Sequence, residues 1–309
     1  MDRPGHSRLF AHSRSDAIPV LAALAQFAYL LFLFFAFPRL RWWALVPLGL
    51  VWSVGISWNI NGISHNFLHN PYFRSGLLNR CFSILESITV GFSQVFYEQV
   101  HREHHAGNAD LPDEQGGTVD PLSIYKHGHV GNPENPWTYV FFSFFRDEPR
   151  AIYRSIAHRS RALARWGVFE IVLFLSLYAA AGITNWRFLC FFLPFYYFGH
   201  CLSFLNGYYL HYGGNPDVPL AWGVSSYNKL YNRLWFNNGY HAEHHYRPRV
   251  HWTDMKRLHE EIKHQQEAAG TRVITPPHAL AFLDPELKNY GKSRPVGHAV
   301  VTNLADERR

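Results

Sequence analysis

Hydrophobic positions along this chain gather into long, nearly unbroken runs. Four of them are long enough to cross a bilayer: Ala17–Pro38, Trp42–Ile63, Trp166–Trp186 and Phe188–Tyr212. A helix of about 22 residues is about 33 Å long, which matches a hydrocarbon core of about 30 Å. Polar residues inside the runs are few: Gln26, Asn59, Asn61, Glu170, His200, Asn206 and His211. The runs come in pairs, separated only by Arg39–Arg41 and by Arg187. Such short turns make two helical hairpins that open to the same side. Two shorter apolar stretches, Phe82–Tyr97 and Pro136–Phe145, read as helices at the membrane interface. The segment 106–135 is rich in Gly, Pro, Asp and Asn and reads as a loop.

The pattern predicts an all-α membrane protein: four transmembrane helices in two hairpins, with a helical cap on one side. Residues 1–16 form an N-terminal segment, 17–269 a single membrane domain, and 270–309 a polar, loosely ordered tail. Basic residues decide the orientation. The stretch between the hairpins and the one after Tyr212 hold many Arg and Lys, including Arg146, Arg150, Arg154, Arg159, Arg233 and Arg247, while the turns hold few. By the positive-inside rule both termini and the cap are cytoplasmic.

Composition adjusts this picture in three ways. Aromatic residues and charged residues each make up 17% of the 309 positions, so the chain is poorer in charge than a soluble domain, at roughly 25%. The mean hydropathy of −0.17 nevertheless requires a large part of it to lie in water. The net charge of +6 suits contact with anionic headgroups, and no basic run or recognition motif points to nucleic acid. The three cysteines form no CxxC pair, which argues against a disulfide framework or a thiolate metal site. No cleavage site follows the first run, which reads as a retained span.

Histidine carries the chemistry. Of the 20 in the chain, eight fall in three clusters: His65/His69 (HxxxH), His101/His104/His105 (HxxHH) and His241/His244/His245 (HxxHH). Residues three and four apart share a helix face, so each cluster can aim two or three imidazoles at one point. Chance would place even one HxxHH in such a chain far less than once. Imidazole suits Fe, Zn, Cu and Ni, so ligand type alone leaves the metal open. All three clusters lie beyond the cytoplasmic ends of the spans. His211, ending the fourth span, sits at the depth to supply a ninth imidazole. His200, eleven residues earlier, faces the same way but is about 16 Å deeper by helical rise. It reads as a buried, hydrogen-bonded residue or one lining a substrate channel, a role also open to Glu170.

These boxes, hairpins and cytoplasmic placement, over about Trp42 to Tyr246, resemble the membrane fatty-acid desaturase superfamily with its hydroxylase and ketolase relatives. Tyr208–Gly213 resembles the span end of membrane alkane hydroxylases, with Gly207 where those carry Asn. Asn238-Gly239-Tyr240 before the third box is closer to sphingolipid desaturases and carotenoid-modifying members. The short length and the lack of a haem domain resemble small bacterial desaturases of the dihydrorhizobitoxine desaturase type. The resemblance implies two ferrous ions held by His65, His69, His101, His104, His105, His211, His241, His244 and His245, with O2 as co-substrate. Ligating imidazoles usually donate their other N–H to an acceptor, and Glu98, Glu103, Asn238 and Glu243 are candidates, with Asn66, Asp110 and Asp120. The ExxH pairs Glu98/His101 and Glu261/His264 have the spacing of soluble di-iron bundles, although the second lies in a charged surface helix. The remaining histidines, His251, His259 and His278 among them, read as surface or loop residues.

No His-Pro-Gly-Gly haem motif and no GxGxxG fingerprint occurs, so no bound haem or flavin is expected. Electrons are expected from a separate ferredoxin, rubredoxin or cytochrome b5 with its reductase, drawn to the basic face. The reaction expected first is desaturation of a lipid acyl chain or small amphiphilic precursor. Hydroxylation or ketolation of an alkyl, sterol or carotenoid carbon differs from it only in how the substrate is placed. A non-enzymatic membrane metal-binding protein is the third reading, opposed by metal-binding clusters that lie at one surface and not at mid-membrane.

Overall fold

Four helices among the described residues are long and apolar enough to span a membrane: Arg14–Arg39, Trp42–His69, Arg161–Thr184 and Trp186–His211. The structure, a computed structural model, describes residues 9–106, 118, 120–128 and 132–289. In chain order the first span is α1 (Ala17–Ala36), started by a capping box in which Ser13 accepts from Ser15 N and Asp16 accepts from Ser13 N. The second is a composite rod. α2 (Trp42–Trp58) passes into a π-helical turn, Asn59–Ser64, and then into α3 (His65–His69), which carries the first histidine pair. A π-turn inserts an extra residue and rotates the helix beyond it, and such turns concentrate at functional sites.

The stretch expected to form one interfacial helix over Phe82–Tyr97 is two. α4 (Gly76–Val90) stops at Gly91, whose φ of +77° is left-handed, and α5 (Gln94–His104) restarts at the cap Ser93. A side chain at Gly91 would meet the Tyr196 ring at 2.5 Å, so this turn needs glycine for both backbone angle and space. Its tip lies against the spans: Tyr178 Oη donates to Ile88 O (2.7 Å) and Tyr196 Oη to Gly91 O (2.9 Å). Then come α6 (Pro136–Phe142), capped by Asn135, and α7 (Pro149–Arg159). The two remaining spans are α8 (Arg161–Thr184) and α9 (Trp186–His211), capped by Ser160 and Asn185. α6 packs along α9, with the Tyr139 ring 5.5 Å from Tyr208.

The spans present Leu21, Phe32, Leu50, Val54, Val172 and Leu193 outward and keep Gln26, Ser53, Ser57, Asn61 and Ser203 inside. That inversion of the soluble pattern suits hydrocarbon outside and hydrogen bonds within. The tightest pairing is α2 with α9. Gly49 faces the Phe195 ring, Gly199 faces Ile56, and Ser53 Oγ donates to Phe195 O at 2.7 Å. Small residues allow this approach, as they do between membrane helices generally.

Beyond α9 the chain forms β1 (Ser225–Ser226), α10 (Lys229–Leu234), α11 (His241–Tyr246), α12 (Met255–Ala268) and β2 (Val273–Ile274). β1 and β2 pair in parallel, Ser225 with Val273 and Ser226 with Ile274. The loose tail expected from residue 270 therefore does not begin there. Ile274 and His278 are buried, and a 3-10 turn, His278–Leu283, packs on α9. His278, expected at the surface, bonds Val224 O (2.9 Å) and the Tyr231 hydroxyl (3.2 Å). His251 is also buried, 2.9 Å from Asp16 Oδ1, and so fixes the start of α1 to the segment after α11.

Candidate metal centre

Helical geometry sorts the box histidines into two sets. In one, donor atoms of His65, His69, His101, His105 and His244 lie within 4.8 Å of one another; in the other, those of His104, His211, His241 and His245 do. On α5, His101 and His105 are one turn apart and serve the first set, whereas His104, about 100° around the axis, serves the second. On α11 the assignment is reversed: His241 and His245 serve the second set and His244 the first. The two sets touch, since the His105 and His245 rings stack with centroids 4.3 Å apart and planes inclined by 24°. These are the nine imidazoles singled out in the sequence, and the set to which each belongs is not legible there.

The donor sets fit metal ions. Ring nitrogens converge closely enough to share a proton or a metal ion: His69 Nε2 to His101 Nε2 is 2.7 Å, His101 Nε2 to His105 Nε2 3.0 Å, and His211 Nε2 to His241 Nε2 3.1 Å. A single proton can satisfy only one such pair at a time. Both nitrogens of buried His245 lack a protein partner. Burial first, then the neighbouring imidazoles, hold His101, His105, His241, His244 and His245 well below the ordinary imidazole range, so their lone pairs are free to bind. Neither set contains a carboxylate, a composition that suits imidazole-binding transition metals and not Ca²⁺ or Mg²⁺.

The acceptors around the sets differ from most of those expected. Asp120, fully buried, takes His104 Nδ1 at 2.6 Å and is itself held by Leu122 N at 2.8 Å. Glu103 instead accepts from Gln99 Nε2 (2.9 Å) and Ser155 Oγ (2.7 Å). Glu98 pairs with Arg159 at 3.7 Å. Glu243 accepts from Ser225 Oγ (2.6 Å), Tyr227 Oη (2.8 Å) and His259 Nδ1 (2.7 Å), so it pins α11 to β1 and α12. Asn238 accepts from Tyr231 Oη and donates to Asn61 O, both at 2.8 Å, tying the third box to the π-turn before the first. Asn66 Nδ2 reaches Phe236 O at 3.4 Å. Glu261 lies within reach of Arg247 and Arg257 on the surface, and Asp110 is outside the described residues.

A cavity of about 370 Å³ opens onto the centre. His65, His101, His104, His211 and His241 form its end, and Phe92, Phe96, Ile152 and Phe174 supply apolar wall. His200 lines it as well, with Nε2 3.1 Å from Val90 O. Glu170 does not line it. Its buried carboxylate accepts from Ser83 Oγ, Ser93 Oγ, Val95 N and Trp166 Nε1, clamping α8 to the start of α5. Gly207 lines the cavity one turn before His211, with open space where a side chain would begin.

Residues 40–277 match the family described as fatty acid desaturase. The chain is similar to a sphingolipid delta(4)-desaturase of Schizosaccharomyces pombe, at 27% identity over 212 residues, covering 63% of this chain and 55% of that protein. It is also similar to sphingolipid delta(4)-desaturase DES1-like proteins of Oryza sativa subsp. japonica and Arabidopsis thaliana. Identity is 23% over 200 residues and 24% over 217, covering 63% and 68% of this chain, and 57% and 60% of theirs. The chain thus spans a little over half the length of these curated relatives.

Proposed function

The chain belongs to the fatty acid desaturase family, and from that premise we propose that it is an integral-membrane di-iron desaturase acting on the hydrocarbon chain of a lipid. The observation that carries this reading is the division of nine imidazoles into two touching sets at the end of an apolar cavity. His65, His69, His101, His105 and His244 would hold one iron and His104, His211, His241 and His245 the other. Bound there, the iron pair would supply the O2-dependent oxidising power that removal of hydrogen from an unactivated C–H bond demands. Two electrons and two protons leave the chain as the double bond forms. Two further electrons from an external donor and two protons from solvent complete the reduction of O2 to two waters.

The protein's own residues position and shield. Phe92, Phe96, Ile152 and Phe174 take the hydrocarbon out of water and hold it against the histidine rings. Asp120 accepts the Nδ1 proton of His104 and so presents Nε2 of that ring to the second set. Orientation comes from charge: the Arg- and Lys-rich segments put both termini and the centre on the cytoplasmic side, where the basic surface would receive an acidic electron donor of the ferredoxin, rubredoxin or cytochrome b5 class.

The test is expression with a ferredoxin and its reductase, with O2 uptake, iron content and product mass measured together. Loss of two hydrogens from a lipid chain, with about two irons per protein, is the expected result. A product that gains oxygen would replace desaturation with hydroxylation. Stoichiometric zinc without O2 uptake would end the enzymatic reading.

A further inference from the structure

A band of exposed apolar side chains runs along the box end of the spans without belonging to any of them. α10 exposes Leu230 and Leu234, one helical turn apart, with Lys229 and Arg233 exposed beside them. The 3-10 turn after β2 exposes Phe282 and Leu283, and α6 exposes Trp137 and Phe142. The three pieces are joined. His278 Nδ1 lies 3.2 Å from the Tyr231 hydroxyl of α10, and the Phe282 ring lies 6.2 Å from that of Trp137. Leu230 and Leu283 are as exposed, at 66% and 63%, as Leu21 (64%) on the outer face of the first span.

Depth identifies what covers this band. Trp42 and Trp43, exposed beside Arg39 and Arg41, mark one edge of the hydrocarbon as an interfacial aromatic belt does. From Trp42 to Trp58 the second span climbs about 24 Å. There Trp58 Nε1 donates to Leu234 O at 2.7 Å. The end of α10 is therefore held near the far edge of a hydrocarbon core of about 30 Å. Exposed Trp186 beside Arg187 marks the first edge on the fourth span. Phe204, whose ring is 6.1 Å from that of Tyr139 on α6, lies about 27 Å above it. Measured along either span, the band is level with the headgroup boundary and continuous with the lipid-facing surface.

We propose that α10 and the 278–283 turn form a lipid anchor: Leu230, Leu234, Phe282 and Leu283 lie in the leaflet at the box end, and Lys229 and Arg233 hold the phosphate of an anionic phospholipid. Leucines on one face and basic residues on the next, with no acid in the helix, are the pattern of an element that lies in the interface plane. The inner face of α10 gives the anchor a consequence. Tyr231 Oη donates to Asn238 Oδ1 (2.8 Å), and Asn232 Oδ1 accepts from Gly239 N (3.0 Å). The helix that grips lipid outside thus grips, inside, the residues leading into His241. Anionic lipid bound to α10 steadies the approach to the third box. The anchor goes beyond the desaturase reading and needs neither metal nor turnover.

The experiment places the full chain, with the exposed Cys81 and Cys190 changed to Ser, in nanodiscs of phosphatidylcholine with and without phosphatidylglycerol. A bimane label on Leu230→Cys or Leu283→Cys is read against brominated lipid and against iodide. Leu193→Cys on the outer face of α9 is the lipid reference, and Lys256→Cys on α12 the water reference. Both probes should be quenched by brominated lipid at least about threefold more than Lys256→Cys, and by iodide at least about threefold less. Native mass spectrometry should show phosphatidylglycerol retained by the parent and reduced at least about fivefold in Lys229→Glu/Arg233→Glu. Hydrogen exchange over residues 236–246 should slow with phosphatidylglycerol in the parent and not in the double variant. The Leu193→Cys signal reports that the double variant is still inserted. Iodide quenching of both probes at the level of Lys256→Cys overturns the anchor. Protection from both quenchers, the sign of a second protein on this face, overturns it as well. Equal retention of phosphatidylglycerol by parent and double variant overturns the headgroup site, and unchanged exchange overturns its link to the third box.

Discussion

The Ser64 hydroxyl donates to Glu86 Oε2 at 3.1 Å, immediately before the first metal-site histidine in the chain. Glu86 is completely buried on α4, and its other oxygen has no protein partner. Burial pushes its carboxyl up to about 7, against hydrogen bonds from Asn59 and Ser64 that pull it down. A folded-state value above the ordinary 4.5 means that the folded protein binds this proton more tightly than the unfolded one. The contribution to stability is full below about 4.5 and is lost as pH rises through about 7. Thermal unfolding between pH 5 and pH 8 should show a decline worth about 3 kcal/mol. Glu86→Gln should flatten that decline and leave the variant more stable than the parent at pH 8. An unchanged slope would remove Glu86 as its source.

Asp120→Asn keeps the size of the side chain but not its charge, and weakens its hold on His104 Nδ1. Partners of metal ligands are typically worth 10- to 100-fold in metal affinity. Chelator titration of the loaded protein should show a loss in that range, confined to one of two irons.

His241→Ala removes a ligand of the four-membered set and none of the other. Iron analysis should fall from about two per chain to about one, with turnover abolished and membrane insertion intact. Full retention of both irons would show that the two sets are drawn wrongly.

Gly207→Leu places a branched side chain in open cavity one turn from His211. Turnover of a long-chain substrate should drop more than about tenfold while iron content holds, and Gly207→Ala should be nearly silent.

Glu170→Leu strands three buried donors, from Ser83, Ser93 and Val95, and the part-buried Trp166 Nε1. Each stranded group costs about 1–3 kcal/mol, so the melting temperature should fall steeply. The residue does not line the cavity, so substrate affinity of the protein that remains folded should be unchanged.

The spans and the histidine boxes were legible in the sequence because both depend on short spacing: unbroken apolar runs, and imidazoles three and four residues apart. The features that could not be read depend on contacts between distant segments. Asp120 is among the candidate acceptors, but it sits in a Gly-, Pro- and Asp-rich stretch with nothing local to match it to His104 in particular. Glu103 and Glu243 occupy the same slot in two boxes, yet one bonds Ser155 on α7 and the other Tyr227 and His259. A lone acid in a span is costly, which leaves Glu170 open to a structural or a channel role in the sequence. Its cost is met by donors brought from α4, α5 and its own helix. Residues 270–289 carry too weak an apolar pattern to announce order. Their place comes from one short parallel strand pair and from His278 beneath it. His6, His129 and His298, read as surface residues, lie outside the described residues.

Neighbours in the chain, His104 with His105 and His244 with His245, fall on opposite sides of the boundary between the sets. The gap between the two sites is therefore a property of single turns of α5 and α11, with no flexible linker in between. Thinning or thickening of the bilayer can tilt the spans, but it carries both sites together. Selection on loop length, which readily retunes centres built from separate domains, has almost no purchase on this interval. Variation among descendants of such a chain would instead fall on the cavity, where a single position such as Gly207 changes what reaches the pair without altering the pair itself.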